Sequence, residues 1–298
     1  MRQKKAMLIT STVILLAMSL SISVSSHPVR MSSASEVTIT PSTWSYLPLI
    51  SKQLYRVVYF SHNLSGHSVS AECNPGNVSS CPCSDADVSI VALTNYGEVI
   101  SNPRKIGTYV NAIGHQKFIE SLPGGEPIAL SVYAYAGQVS LPVVPFPNVD
   151  QTENPQAVHI MIQLWDGRNA LFQSNKTTRE AVIYWDLNPW ASDYGKIKVY
   201  TNPASLVETG ITLTPDTNWH SFEVVADLAT QKYVSITIGG ETRDLSHLEM
   251  AQVYQPTWRD EVTLIITTES LASWPGTGCP YVFTWATRFR DLEFRLLS

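Results

Sequence analysis

Ten short runs of β-type residues, with almost no helical periodicity between them, constrain the fold of this chain more than any other feature. Clusters of Gly, Pro, Asn and Asp separate the runs, which is typical of strands joined by turns and loops. One further segment, residues 247–253, is expected to form a short turn or helix. A chain of many strands without intervening helices folds as a β-sandwich or a barrel. The runs are 56–60, 88–93, 128–135, 157–165, 181–185, 197–201, 222–227, 233–238, 262–268 and 281–294.

The chain divides into a leader, a tether and one domain. Residues 1–26 combine a basic start with a long apolar run and end in small residues, which predicts a signal peptide cleaved near Ser25 or Ser26. An uncleaved N-terminal anchor is the alternative, and only in that case would the protein contact a membrane. Residues 27–52 are rich in Ser, Thr and Pro and are interpreted as a tether. Residues 53–298 are predicted to form the domain, and either form of the leader makes it secreted or extracytoplasmic, with the cell surface included.

The charge balance excludes one class of partner. The chain has 298 residues with 20 Lys+Arg and 25 Asp+Glu, for a net charge of −5. Arg2, Lys4 and Lys5 belong to the leader, so the remainder carries −8. A body with that charge has no electrostatic attraction to phosphates, and nucleic acid is therefore not expected as a partner.

Four cysteines fit an oxidising compartment: Cys73, Cys81, Cys83 and Cys279. Only Pro82 separates Cys81 from Cys83, which is too close for an unstrained bridge between them. Two pairings remain, Cys73–Cys81 with Cys83–Cys279, or Cys73–Cys83 with Cys81–Cys279. A zinc site is the competing interpretation, but the spacing is not that of a zinc ribbon. Disulfides are therefore predicted, and no metal site.

Four features in the second half of the chain follow one another in a familiar order. They are the run 157–165, the stretch Asn-Trp-His-Ser-Phe that begins at Asn218, a strand that ends at Gly239-Gly240, and a closing strand over 289–294 that contains an Asp. In this order they resemble the concanavalin A-like lectin/glucanase superfamily, and within it the laminin-G-like jelly rolls. The resemblance covers about half of the chain. It implies a two-sheet antiparallel jelly-roll β-sandwich, whose concave face often binds glycans.

The motifs of several enzyme classes are missing. Retaining glucanases of that superfamily carry Glu-x-Asp-x-x-Glu on one strand, since retention needs two carboxyl groups about 5–5.5 Å apart. No Glu-x-Asp occurs in this sequence. Carboxylates on separate strands remain for an unconventional glycosidase, with Glu180, Asp186 and Glu223 available. The sequence also lacks a nucleophile elbow, a zinc-protease helix and a phosphate loop, and no cofactor is predicted.

The candidate site lies where aromatic and polar residues concentrate, between residues 157 and 201. In run 157–165 the alternation places Val158, Ile160, Ile162 and Leu164 toward the core, and the intervening side chains on the concave face. Flat rings stack on sugar faces while amides and charged groups bond the hydroxyls. The predicted ligand-binding residues are His159, Gln163, Trp165, Arg179, Trp185, Trp190, Lys198 and Tyr200.

Two functions fit these residues. The first is a secreted carbohydrate-binding protein that recognises a polysaccharide or glycan on its concave face. The alternative is an enzyme, a polysaccharide lyase or an unconventional glycosidase on the same fold. A lyase needs a cation or amide beside the uronate carboxylate and a Tyr or His base, which His159, Gln163, Arg179, Lys198 and Tyr200 could supply. Two further rings, Trp219 and Trp285, are assigned to the core.

Overall fold

The computed structural model describes residues 55–69, 72–75, 87–102, 108–144, 156–168, 177–255, 258–272 and 284–297. The described residues contain sixteen strands and no helix, so none of them forms a helix that could cross a membrane. The predicted leader, the tether and three of the four cysteines lie outside these residues. The strands are β1 Tyr55–Ser61, β2 Glu72–Pro75, β3 Asp87–Ala92, β4 Gly97–Asn102, β5 Thr108–Ile119, β6 Val132–Ser140, β7 Gln156–Asp166, β8 Thr177–Leu187, β9 Lys196–Thr201, β10 Ser205–Thr212, β11 His220–Asp227, β12 Lys232–Ile238, β13 Glu241–Asp244, β14 Ala251–Tyr254, β15 Val262–Ala272 and β16 Trp285–Leu297.

The strands form two antiparallel sheets of eight strands each. Sheet I has the order β13-β12-β11-β6-β16-β4-β3, with β1 also paired to β16. Sheet II has the order β10-β9-β8-β7-β15-β5-β2, with β14 also paired to β8. The predicted two-sheet antiparallel β-sandwich is confirmed.

Alternation along the central strands of sheet II builds the core. Ile160 on β7 pairs with Trp185 on β8, and Ile162 pairs with Ile183. These side chains line a cavity of about 20 Å³ together with side chains of sheet I, among them Val139. The face of β7 predicted to point into the core therefore does so. Apolar burial of this kind contributes roughly 25 cal/mol per Å² and is the main stabilising term of the sandwich.

A buried tyrosine joins the two sheets where sheet II divides. Strand β8 is flanked by β9 over part of its length and by β14 over the rest. The Tyr233 hydroxyl, on β12 of sheet I, donates to the carbonyl of Tyr200 at 2.7 Å and accepts from the amide of Val182 at 2.6 Å. Val182 and Tyr200 are paired residues of β8 and β9, so this one phenol links both strands to sheet I.

Two details of the sequence interpretation change. Residues 247–253 were expected to form a short turn or helix; Ser246 and His247 lie in a turn, whereas Ala251–Tyr254 pairs with β8 as a short strand. Trp219 is not in the core. It lies half-buried on the outer face of sheet I, where the Arg290 guanidinium stacks 4.3 Å from the ring centroid. The cation–π contact with the guanidinium stabilises this indole, which is only partly buried.

Candidate functional site

The outer face of sheet II, turned away from sheet I, carries an imidazole between two carboxylates. His159 on β7 pairs with Asp186 on β8 and with Glu269 on β15. His159 Nδ1 lies 2.6 Å from Glu269 Oε2, and His159 Nε2 lies 3.7 Å from Asp186 Oδ1. The three side chains are at most 10% exposed. They form a nearly closed cluster at one end of the face.

Burial sets the protonation state of His159. Desolvation lowers the pKa of His159 from 6.5 to about 4, and it outweighs the opposing attraction of the Asp186 carboxylate. The imidazole is therefore neutral at pH 7. A carboxylate only accepts hydrogen bonds, so Nδ1 donates to Glu269 and Nε2 keeps its lone pair.

Two lysines beside this cluster are held by carboxylates. Lys198 Nζ donates to Asp186 Oδ2 at 2.9 Å and to Asp193 Oδ2 at 2.6 Å. Lys196 Nζ donates to Asp193 Oδ1 at 3.2 Å and to Glu208 Oε1 at 2.8 Å. The hydrogen bond from Lys198, with that from Lys196, lowers the pKa of Asp193 from 3.8 to about 2. Three carboxylates thus hold two ammonium groups in fixed positions.

A phenol lies against both the imidazole and the lysine. The ring centroids of Tyr184 and His159 are 4.7 Å apart, and Lys198 Nζ lies 5.7 Å from the centroid of Tyr184. Burial raises the pKa of Tyr184 well above its ordinary value, and the nearby Asp186 carboxylate raises it further. The phenol is therefore a hydrogen-bond donor at neutral pH, and not a base.

Farther along β7 and β15, four buried side chains form what we call the unsatisfied polar row: Gln163, Trp165, Thr263 and Thr267. None is more than 1% exposed. Within the described part of the chain, both amide atoms of Gln163, the indole nitrogen of Trp165 and both threonine hydroxyls lack a hydrogen-bond partner. Strand pairing places the row on the same face as His159, since Trp165 pairs with Thr263 and His159 with Glu269.

Five of the predicted site residues share this outer face, and the structure brings them together in two groups. Lys198 lies in the His159 cluster, whereas Gln163 and Trp165 belong to the unsatisfied polar row. Tyr200 also lies on this face, because it pairs with Val182, which in turn pairs with Gln163. Gln163 lies four positions after His159, which is about 13 Å at the usual rise of a strand.

The structure does not bring Trp185 and Arg179 to this face. Trp185 pairs with Ile160, so it points between the sheets, where its indole nitrogen donates to the carbonyl of Leu213 at 3.0 Å. Arg179 is an even number of positions from Trp185, as the sequence indicates. It therefore lies on the same side of β8 as Trp185, away from the outer face. The register of β8 against β7, which the sequence does not disclose, decides this placement. Trp190 is half-buried in the turn between β8 and β9.

Sequence reasoning missed the contribution of β15. Thr263, Thr267 and Glu269 share one phase of the strand, but Ile265 interrupts that phase and Thr268 is polar in the other. The two-residue period that would mark a polar face is therefore incomplete in the sequence. The carboxylates considered for a glycosidase do not converge. Glu223 lies on β11 of sheet I, where it bonds Arg295.

Of the four cysteines, only Cys73 lies among the described residues. Cys73 lies on β2, which pairs with β5 at the edge of sheet II. Cys81, Cys83 and Cys279 lie outside the described residues, so both predicted pairings stay predictions. No group of His, Cys, Asp and Glu suited to a metal ion occurs among the described side chains.

Comparisons with known proteins concern the fold. No family model matches the chain, and no curated protein matches its sequence. The laminarinase catalytic domain from Thermotoga maritima is 14% identical at a TM-score of 0.45, over 82% of this chain and 99% of that one. The CBM2 module of the evolved Dit from Lactobacillus casei phage J-1 is 10% identical at a TM-score of 0.41, over 82% and 96%. The endo-β-1,4-glucuronan lyase from Trichoderma reesei is 11% identical at a TM-score of 0.39, over 80% and 94%.

These neighbours are members of the concanavalin A-like lectin/glucanase fold, the superfamily that the sequence resembles from residue 157 onward. Carbohydrate-binding modules, lectins, glucanases and lyases share this fold. A shared fold does not determine function, so this likeness does not establish the chemistry of the site.

Proposed function

We propose that this protein binds a polysaccharide or glycan on the outer face of sheet II, in a secreted or extracytoplasmic setting. The unsatisfied polar row carries the proposal. A buried polar group without a hydrogen bond costs about 1–3 kcal/mol, and five such atoms lie close together on β7 and β15. The row has almost no exposed surface, and the ring of Trp258 lies 4.5 Å from that of Trp165. A ligand therefore reaches these groups only when the covering side chains move aside, and the hydrogen bonds that it then forms offset the cost.

The chemistry of the row suits sugar hydroxyls. The Gln163 amide offers a donor and an acceptor, the hydroxyls of Thr263 and Thr267 offer both, and the Trp165 indole offers a donor. A sugar hydroxyl likewise donates and accepts, so each group of the row finds a complement in a glycan. A few convergent polar groups on a largely apolar surface are typical of small-molecule sites.

A polysaccharide lyase is the second candidate function, and one observation favours it. The unprotonated Nε2 of His159 lies beside the protonated Tyr184, and such a pair can remove a proton and donate one. The amide that would neutralise the uronate, Gln163, lies about 13 Å away along the strand. The cation beside the base, Lys198, is already bound by the carboxylates of Asp186 and Asp193, and binding therefore ranks first.

The first test replaces the central amide. Gln163→Met keeps the length of the side chain and removes both unsatisfied atoms, so it should raise the melting temperature. If the row binds a glycan, the same variant should weaken retention of that glycan in affinity electrophoresis by roughly tenfold.

Thr287→Val is the matched control, because its hydroxyl is equally buried and unpartnered but lies on β16 of sheet I. It should raise the melting temperature and leave retention unchanged. Wild-type retention by Gln163→Met would contradict the proposal. Release of an unsaturated product from alginate or polygalacturonate, read by its ultraviolet absorbance, would instead establish the lyase.

A further inference from the structure

We infer that the outer face of sheet I is a dimer interface, and that its partner is a second copy of this chain. The two copies pack with these faces against each other, related by a two-fold axis. The outer faces of the two sheets II then point in opposite directions. This interface is independent of the binding function proposed above.

Exposed apolar side chains gather at one side of this face. Val57 and Phe60 on β1 pair with Arg295 and Glu293 on β16, and side chains opposite each other on paired strands share a face. Phe60 is 46% exposed and Val57 39%, and Tyr55, at 54%, continues the same row. Contiguous apolar groups left in water in this way mark an interaction surface.

Three arginines of the central strand β16 stack on aromatic rings of the same face. The guanidinium carbon lies between 4.3 and 5.2 Å from the ring centroid in the pairs Arg288–Tyr96, Arg290–Trp219 and Arg295–Tyr55. Arg, Tyr and Trp are the residue types enriched in the cores of protein interfaces. Stacking also holds these side chains in place before association, so less conformational entropy is lost when a partner packs on them.

The charges around these arginines nearly cancel. Four carboxylates form ion pairs with them: Glu98, Glu223, Asp291 and Glu293. Three arginines against four carboxylates leave −1 on this patch, whereas the chain outside the leader carries −8. Two copies of so acidic a chain repel each other, and a nearly neutral patch is where they meet with little repulsion. A two-fold axis brings a surface against itself, which a patch with both signs of charge allows and a patch of one sign does not.

The size of the face suits a stable dimer. Seven strands lie side by side in sheet I, and at about 4.8 Å between strands and about seven residues per strand they cover roughly 800 Å². A standard interface buries about 800 Å² on each partner. Interfaces of this size dissociate in the micromolar range or below, so the dimer should be present at ordinary protein concentrations.

Sedimentation velocity of the full chain between about 1 and 100 µM measures the association. We expect a dimer whose dissociation constant falls severalfold when the salt concentration rises from about 0.05 to 0.5 M, because salt screens the repulsion between two acidic bodies. The reverse dependence would indicate attraction between opposite charges and would contradict the inference.

Phe60→Glu and Val91→Glu place a carboxylate on the interface at exposed positions of the monomer. Val91 pairs with Glu98 and so lies on the same face. Each variant should weaken dimerisation roughly tenfold or more, because association would bury an unpaired charge. The two positions lie on different strands, so the second variant tests the inference should the first not fold. Tyr254→Glu is the matched control, since Tyr254 is 58% exposed on β14 of sheet II, and it should dimerise like the wild type.

A wild type that stays monomeric at about 100 µM in both salt concentrations overturns the inference. A dimer that both glutamate variants leave intact overturns it as well, since the contact then lies elsewhere. Monomeric protein that a sulfated matrix retains, with retention lost in Arg290→Gln, would instead assign the face to an anionic ligand. None of these results concerns glycan retention by sheet II, so the proposed function stands or fails separately.

Discussion

His159 couples the candidate site to the pH dependence of folding. Its pKa is lowered to about 4 in the folded protein, whereas an imidazole in an unfolded chain titrates near 6.5. The unfolded state therefore binds the proton first as the pH falls. This contribution to the free energy of unfolding is fully present above pH 6.5. It is lost progressively as the pH falls to about 4, and the loss is up to about 3 kcal/mol.

His159→Gln should remove this contribution, because the replacement does not titrate, while the part of the acid slope that belongs to His67, whose pKa burial lowers to about 2, should remain. Urea unfolding at about pH 7.5 and pH 4.5 measures the difference between the two proteins. His247→Gln, at an exposed histidine, is the control and should keep the wild-type slope. An equal loss of stability on acidification in wild type and His159→Gln would show that another group carries the pH dependence.

The alternation of residues along a strand predicted which side chains share a face, but not how neighbouring strands are aligned. The faces of β7 followed from the sequence, since Ile160 and Ile162 border the space between the sheets and His159 lies on the other side. Whether Trp185 lies on the same face as Ile160 or on the same face as His159 depends on how β8 is aligned against β7. A shift of one residue would exchange the two faces, and no local pattern in β8 fixes the alignment.

Strands without a strong apolar pattern were also missed. The sequence runs contain no counterpart of β2, β4, β5, β10, β13 or β14. Strand β10, for example, is exposed over most of its length, and β13 has four residues without a buried side chain. Pairing with a neighbouring strand, and not burial of a hydrophobic face, defines such elements.

A glycine sets how closely β6 approaches its neighbours. A Cβ atom at Gly137 would lie 2.5 Å from Cζ of Phe222 on β11 and 2.7 Å from Cδ2 of Leu292 on β16. Both neighbours are fully buried, so neither ring nor methyl has free space to move into. Gly137→Ala should therefore lower the free energy of unfolding by about 1–3 kcal/mol through overpacking.

Thermal or urea unfolding measures this effect. Ser221→Ala on β11, at an exposed position beside the same contact, should change stability by less than about 0.5 kcal/mol. A Gly137→Ala protein as stable as the wild type would show that β6 can move away from β11 without loss.

For the whole molecule, the burial of both faces of sheet II is the feature that the sequence did not predict. Antiparallel sheets commonly keep one face in water, and polar side chains at alternate positions usually indicate that face. In this chain the outer face is covered, since Met161, Val182 and Ile265 have no exposed surface. The polar residues among them are therefore enclosed, which is why they matter for the proposed site.

The predicted disulfides would link parts of the chain that are far apart in the sequence. Cys73 lies on the edge strand β2 of sheet II, and residue 279 precedes β16, a central strand of sheet I. A bridge from Cys81 or Cys83 to Cys279 would close a loop of about 200 residues. In the chain-entropy description such a loop contributes on the order of 5 kcal/mol by restricting the unfolded state.

Cys279→Ser should lower the free energy of unfolding by that order, measured by urea unfolding under oxidising conditions. The internal control is the reducing agent, since reduced wild type and reduced variant should unfold alike. Labelling of all four cysteines by a thiol reagent in the native, oxidised protein would rule the bridges out. If the reduced variant is still much less stable than the reduced wild type, the effect comes from packing around residue 279 and not from a crosslink. A disulfide restricts the unfolded chain only while the covalent bond is intact.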